Sequence, residues 1–478
     1  MKQPWITGAL AAAALLGGCA VGPDYHRPAP PGGTVPKLSE SAAAETAPTP
    51  LPPGWWRLFA DPALDGLVER ALARNTDLRV AAANLQRARA VLSEARAGKL
   101  PVSTLTASYV RQRFGGQVFN AVSGVPPVTT DFYSTGVDAS YEVDLFGGVS
   151  RTIRAAIADS EAAQAQVDAA RVAVVAETAR TYSYACALGE QIDLLRRAAD
   201  LSRQMLVLTE TTSAAGLTDR RAIVAARGAL AEAQAQLEPV DGEWRATLFA
   251  LAFLLGDPPE AIDEAASRCR VVPRLASPLP VGDGAALLAR RPDIRVAERQ
   301  LARDTERIGI ATAALYPTIR FGGTASLGAP SLGNLGNSGS FGFSAGPSIS
   351  WTFPFTGAVR ARIRAARADE QASLARFDAA VLRALQETEQ AMARLRGAAR
   401  AEEELQQASS AASEAADLVR HRFRAGAEDM QKLLDSERIA TLAAKNQAVA
   451  EAERAAAQIQ LFKALGGGWE TAGSREQR

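Results

Sequence analysis

Histidine is almost missing from this chain: among 478 residues only His26 and His421 occur, far apart in sequence. A multi-histidine metal site or a histidine-centred triad therefore has little to work with. No P-loop, no HExxH and no CxxC pair is present. No catalytic residue set can be nominated, so the chain is expected to be no enzyme and to use no cofactor or metal. Charge of one sign is lacking too. Against 53 basic residues stand 52 acidic ones, a net +1, so no strong field recruits nucleic acid. Cysteine is scarce. Cys186 and Cys269 are distant in sequence, and a disulfide between them is possible in an oxidising compartment but left open.

Long apolar runs are also absent. The longest near the N-terminus, Ile6–Leu16, holds about eleven residues behind Lys2, whereas a spanning helix needs about twenty. That length suits a secretory signal. The run ends Leu16-Gly17-Gly18-Cys19, which resembles a bacterial lipobox with Cys19 as the lipid attachment site. Ala20, rather than Asp, follows the cysteine, as in lipoproteins sent to the outer membrane. Residues 1–18 thus read as a lipoprotein signal peptide and 19–54, rich in Pro, Ala, Ser and Thr, as a lipidated, extended tether without a core. Order resumes at Trp55, Trp56 and Phe59, with Asp61 placed to cap a helix that opens on Pro62.

What the chain does have is a duplication. ALARNTDLRVAAANLQRARAVLSEARAGKLP (71–101) aligns with LLARRPDIRVAERQLARDTERIGIATAALYP (287–317); Asp77/Asp293, Leu85/Leu301, Arg87/Arg303 and Pro101/Pro317 are each 216 residues apart. Further on, Gly147/Gly357, Arg154/Arg364, Gly216/Gly426 and Leu255-Gly256/Leu465-Gly466 keep an offset of 210. Each half predicts helix, two strands, a very long helix, a turn and a returning helix. The repeats span 55–270 and 287–468, joined by a linker at 271–286 and followed by a disordered tail at 469–478.

From Gly148 to Ala214 no proline interrupts the helix, and at 1.5 Å per residue it reaches on the order of 100 Å. Leu188, Ile192, Leu195, Ala199, Ser202 and Leu206 form a heptad seam, repeated by Leu405, Ser409, Ala412, Ala416, Val419 and Phe423. Helices over 62–97 and 220–255 would together match that length as its coiled-coil partners. The strand segments are VSTLTASYVRQR, STGVDASYEVDLFGG, TIRFGGTASLG and SFGFSAGPSISWTF. In the second, Val137, Ala139, Tyr141 and Val143 alternate with Asp138, Ser140, Glu142 and Asp144. Apolar on one face and polar on the other is the pattern of a wall between lipid and water, with Tyr141 and Trp351 in an aromatic girdle. Four strands close around nothing, and lipid tolerates only helices or closed barrels. Several copies must share one barrel.

CAVGPDYHRP, WWRLFADPALDGLVERAL, the twofold repeat and FRAGAEDMQKLLDSERIATLAAKNQ together resemble the TolC-like outer-membrane efflux channels, and within them the NodT-type lipoproteins of resistance–nodulation–division pumps. The resemblance implies a mostly α fold with a transmembrane β-barrel contribution: four strands per chain, and long coiled-coil helices that form a trimeric barrel and a periplasmic α-helical tunnel. It implies a homotrimer in the cell outer membrane, partnered by a periplasmic membrane-fusion adaptor, an inner-membrane transporter and outer-membrane lipid. The function implied is a passive exit duct for small toxic or amphipathic compounds. An exit channel of a type I polypeptide secretion system and a structural periplasm-spanning lipoprotein are the alternatives. The hairpin tips, and with them the adaptor contact, fall at Gly216 with Thr218 and Asp219, and at Gly426 with Glu428 and Asp429. A periplasmic gate falls at Asp435 with Gln431 and Lys432: Gln431 replaces an apolar ring residue of some relatives, and Lys432 is placed to neutralise Asp435. Arg221, or Arg220, is expected to pair with acids of the second half and hold the tips shut.

Overall fold

The computed structural model describes residues 20–31, 46–47, 49, 51–114, 128–275, 279–280, 290–353 and 356–467. The expected signal peptide, Cys19, much of the tether, part of the linker and the tail from 469 lie outside the described residues. In chain order the elements are β1 (Thr46–Ala47), a 3-10 turn (Trp55–Phe59), α1 (Pro62–Arg74), α2 (Thr76–Ala97), β2 (Val102–Phe114) and β3 (Val128–Val143). Then come α3 (Gly148–Ala214), α4 (Arg220–Leu255), α5 (Glu264–Arg268) and β4 (Leu279–Pro280). The second half supplies α6 (Pro292–Ala313), β5 (Thr318–Ala329), β6 (Phe341–Ser350), α7 (Gly357–Arg424) and α8 (Met430–Ala464).

Asp61 starts α1 as expected. Its carboxylate accepts from the N–H groups of Ala63 (2.8 Å) and Leu64 (3.2 Å) and from the Tyr182 hydroxyl (3.0 Å). The single helix expected over 62–97 is instead two, because buried Asn75 leaves the helical region at φ −54°, ψ 135°. Its side-chain oxygen accepts from the N–H groups of Asp77 and Leu78, capping α2, while its amide donates to the Leu254 carbonyl at 2.9 Å. The second half does the same with a different residue: Arg291, 216 positions on, donates to the Ala464 carbonyl at 2.8 Å, 210 positions beyond Leu254. The duplication thus survives at the level of which carbonyl is read.

The described chain forms two compact units, and each draws on both repeats. One holds the N-terminal segment to Pro28 with Gln86–Ala162 and Ala297–Phe377; the other holds Ala29–Leu85, Ala163–Val296 and Asp378–Arg478. The first unit carries an antiparallel sheet in the order β2-β3-β5-β6. Its central pairing, β3 on β5, joins the repeats, so neither repeat closes its own sheet. β3 begins at Val128, six residues ahead of the expected segment.

In the second unit the core gathers around Trp55, which stacks on Phe462 at 4.5 Å beside Phe59, Leu64, Val175 and Leu461. Cys186 and Cys269 form a disulfide there. Gly189, inside α3, has a tertiary reason to be glycine: a Cβ on it would stand 2.5 Å from the Cys269 carbonyl oxygen. The heptad seam packs as expected, with Leu188, Ile192, Leu195 and Ala199 buried in α3 and Ser409 and Ala416 buried in α7.

The segment expected to be an extended tether is docked in its described parts. Residues 20–28 lie in the first unit, held by main-chain and side-chain hydrogen bonds. In the second unit Thr46–Ala47 pairs with β4 and Leu51 is buried. Composition without large apolar residues rules out a core of its own; it does not rule out docking on one.

Candidate functional site

Two surfaces carry the chemistry, one in each unit. The first is the sheet. Its register aligns Leu105, Val137, Ala325 and Phe343 in one cross-strand row, and Tyr141, Phe321 and Pro347 in another. Alternation puts Ile319, Ile349, Leu327 and Phe341 on that same face. The opposite face holds Thr104, Thr106, Ser108, Ser134, Asp138, Ser140, Glu142, Thr324, Ser344 and Ser348. Its polar groups bind each other: Ser108 to Ser134 at 2.8 Å, Thr324 to Ser344 at 3.0 Å, and the Arg320 guanidinium to Glu142 at 2.8 Å.

On the apolar face Leu105 is 75% and Phe343 77% exposed in a single chain. Water does not leave such a face bare; hydrocarbon is the medium that satisfies it. Aromatic rows bound it. Tyr109 and Tyr133 meet at 4.8 Å, and eight residues along β3 Tyr141 faces Phe321. Eight residues span about 27 Å of strand, or about 20 Å along a membrane normal at a tilt of about 40°. Trp351 lies one residue beyond β6, stacked on Phe353 at 4.8 Å with its indole N–H donated to the Leu315 carbonyl. The GFSAG pentapeptide (342–346), whose letters match a hydrolase nucleophile motif, runs extended within β6 and forms no turn.

The second surface is the pair of helix hairpin tips. Gly216 and Gly426 take φ of +75° and +74°, and a Cβ on either would meet nothing within 4 Å. Glycine is required there by the left-handed backbone and not by crowding. Both tips close alike: Leu217 N–H bonds the Thr212 carbonyl, and Ala427 N–H the Arg422 carbonyl. Asp219 then caps α4 through the N–H groups of Arg221 and Ala222, and Asp429 caps α8 through Lys432 N–H at 2.8 Å. Thr218 is half-buried beside its cap. The Arg221 guanidinium, hydrogen-bonded to the Asp219 carboxylate, holds that carboxyl below its usual range, helped by the Ala222 N–H.

The charged side chains at the tips differ from expectation in their partners. Within one chain Arg221 binds its own cap, Asp219, at 2.7 Å and not an acid of the second half. The reason is distance along the chain: a neighbour two residues away is always within reach. The Lys432 ammonium stands 3.9 Å from Glu428, which also takes Arg422 at 3.0 Å, and so is engaged away from Asp435. Asp435 and Gln431 are exposed on α8, and Leu433 between them is buried.

One pattern escaped the sequence reading. Glu210 pairs with Arg227 across the first hairpin at 2.8 Å, and Arg420 with Glu437 across the second at 2.8 Å. The four positions are offset by 210 with the signs exchanged, a signal visible only when the two halves are compared charge by charge. A second was also missed: Arg151, buried against Glu306.

The model of the family described as outer membrane efflux protein matches residues 67–257 and 285–467. The chain belongs to the outer membrane efflux protein family. Outer membrane protein OprJ of Pseudomonas aeruginosa is 30% identical over 98% of this chain and 97% of its own length. Nodulation protein T of Rhizobium leguminosarum bv. trifolii is 30% identical over 95% of this chain and 96% of its own. Among solved structures, the outer-membrane channel OprN superposes with a TM-score of 0.85 at 34% identity, covering 94% of this chain and all of that one. This outer membrane efflux protein is therefore a channel component of an efflux system, built on the TolC-like fold.

Proposed function

We propose that three copies of this efflux protein pool their strands into one twelve-stranded barrel, continued by a ring of helical hairpins, and serve as a passive exit duct. The two-faced sheet carries the reading. Four strands with an apolar outer face and a hydrogen-bonded polar inner face leave two raw edges, and closure with other copies removes them. Exposed Val207, Val224, Leu418, Ile439 and Leu442 on the hairpins supply apolar surface for neighbouring copies. No helix among the described residues is long and apolar enough to cross a membrane. The tips at Gly216 and Gly426 are the surfaces offered to a periplasmic adaptor, which delivers small amphipathic compounds from an inner-membrane resistance–nodulation–division transporter. Lipid on Cys19 anchors each copy in the outer membrane.

Val137 and Asp138 are neighbours on opposite faces, so substituting each by arginine separates wall from lumen. At mid-bilayer Val137→Arg costs about 2–4 kcal/mol per copy, and heat-modifiable trimers in outer membranes should fall sharply. Asp138→Arg should assemble normally and shift ion selectivity toward anions in planar bilayers. Equal assembly of both variants would refute the barrel assignment.

The gate is tested in the same bilayers. Removing charge from a ring of Asp435 carboxylates by Asp435→Asn should lower cation preference, and Arg221→Ala should raise conductance if Arg221 exchanges Asp219 for an acid of a neighbouring hairpin when copies assemble. Conductance and selectivity equal to wild type in both variants would remove these residues from the gate.

A further inference from the structure

We infer that Arg151, with Gly147 and Gly309, is a receptor for the chain's own segment Ala20–Pro28, and that this docking sets where a lipid on residue 19 meets the bilayer. The inference rests on the reading of Cys19 as the lipidated residue.

The Arg151 side chain is 1% exposed. Its Nη1 donates to the Pro23 carbonyl at 2.8 Å and to Glu306 at 2.9 Å. Its Nη2 donates to the Gly22 carbonyl at 3.2 Å and pairs with Asp24 at 3.0 Å. Three of these four acceptors belong to the segment. A guanidinium offers five donors in a fixed fork and keeps its charge. Loss of the segment would therefore remove three of the four partners of this fork.

The backbone path is cut to fit. Gly22 sits at φ +95°, and a Cβ on it would lie 2.6 Å from the Gly309 Cα. A Cβ on Gly147 would lie 2.8 Å from the Ala20 Cβ, and one on Gly309 would lie 2.8 Å from the Arg151 Cδ. Glycine at all three positions lets the segment, the start of α3 and the end of α6 approach at main-chain distance. Val21 N–H reaches the Phe146 carbonyl at 3.2 Å. Farther along, Tyr25 donates to Glu298 at 3.2 Å, Arg27 pairs with Glu298 at 3.4 Å, and the Arg299 guanidinium lies over the Tyr25 ring. Burial and the adjacent Glu298 carboxylate push the Tyr25 hydroxyl up to about 12, so it remains a donor.

Magnitude separates a strap from a leash. A free linker of about 35 residues has a root-mean-square reach of about 33 Å, enough to scatter a lipid anchor around the molecule. Docked, Ala20 stands against Gly147, beside the stacked Phe146–Tyr316 pair and one turn before Arg151. The lipid is then pinned where β3 gives way to α3.

Chymotrypsin cleavage after Tyr25, applied to full-length protein in isolated outer membranes, tests the strap. Wild type should resist cutting at Tyr25–His26. Gly22→Val alters only the segment, so it should speed that cut at least tenfold while the heat resistance of assembled trimers stays unchanged. Arg151→Lys, one point charge in place of the fork, should fall between wild type and Arg151→Met. A Gly22→Val protein as protected as wild type, or a wild type cut as fast as Gly22→Val, would overturn the strap. Incorporation of labelled palmitate into wild type is scored separately. Label with an unprotected segment sinks the strap and spares the anchor; protection without label keeps the receptor and overturns its lipid-placing role.

Discussion

Replacing Cys186 and Cys269 together by alanine is expected to lower the stability of the unit that bears the hairpins by about 4–5 kcal/mol. The two cysteines are 83 residues apart in sequence with Cα atoms 4.7 Å apart. Closing a loop of that length removes about 4.5 kcal/mol of chain entropy from the unfolded state. The loop contains the first hairpin, so the bond ties the segment after α5 back to the middle of α3. Gly189 works at the same place: the Cys269 carbonyl occupies the space of any side chain there. Gly189→Val should therefore destabilise the unit even with the disulfide intact. Trp244, with the Arg270 guanidinium 5.7 Å from its ring, is a local reporter. Guanidinium unfolding in detergent, followed by tryptophan fluorescence, should show the double alanine variant losing most of this difference. A loss under 1 kcal/mol would mean that the bond contributes little.

Trp55→Ala is expected to cost about 3–5 kcal/mol. The Trp55 side chain is fully buried, stacked on Phe462 and edge-on to Trp56 and Phe59 at 6.3 Å each. Its removal leaves a cavity ringed by aromatic side chains, which relax poorly. The indole N–H is buried and has no hydrogen-bond partner among the described residues. Trp55→Phe consequently gives up ring area but also an unsatisfied donor worth about 1–3 kcal/mol, and should stay within about 1 kcal/mol of wild type. Denaturant midpoints of the two variants decide the matter. A phenylalanine variant as damaged as the alanine one would show that the indole N–H has a role that packing does not explain.

Local patterns were legible. The alternation of Val137, Ala139 and Tyr141 with Asp138, Ser140 and Glu142 became two faces of one strand because side-chain direction in a strand depends only on the count of residues. The seam of α3, the caps at Asp61, Asp219 and Asp429, and the turns at Gly216 and Gly426 likewise depend on neighbours within a few residues. The break at Asn75 was hidden because its amide answers to Leu254, 179 residues away. Arg221 was assigned a distant partner where a near one, Asp219, was in reach.

The duplication, the two-faced strands, the long helices and the family they resemble are all readable along the chain, since each is written in periodicity or in short motifs. That Cys186 meets Cys269, that Gly189 and Gly309 are glycines for want of space, and that Gly22, Pro23 and Asp24 are held by Arg151 emerged only from the packed chain. Each of these is an encounter between segments more than 75 residues apart in sequence. Spacing along a chain carries no record of which carbonyl will stand opposite a buried guanidinium once the helices have packed.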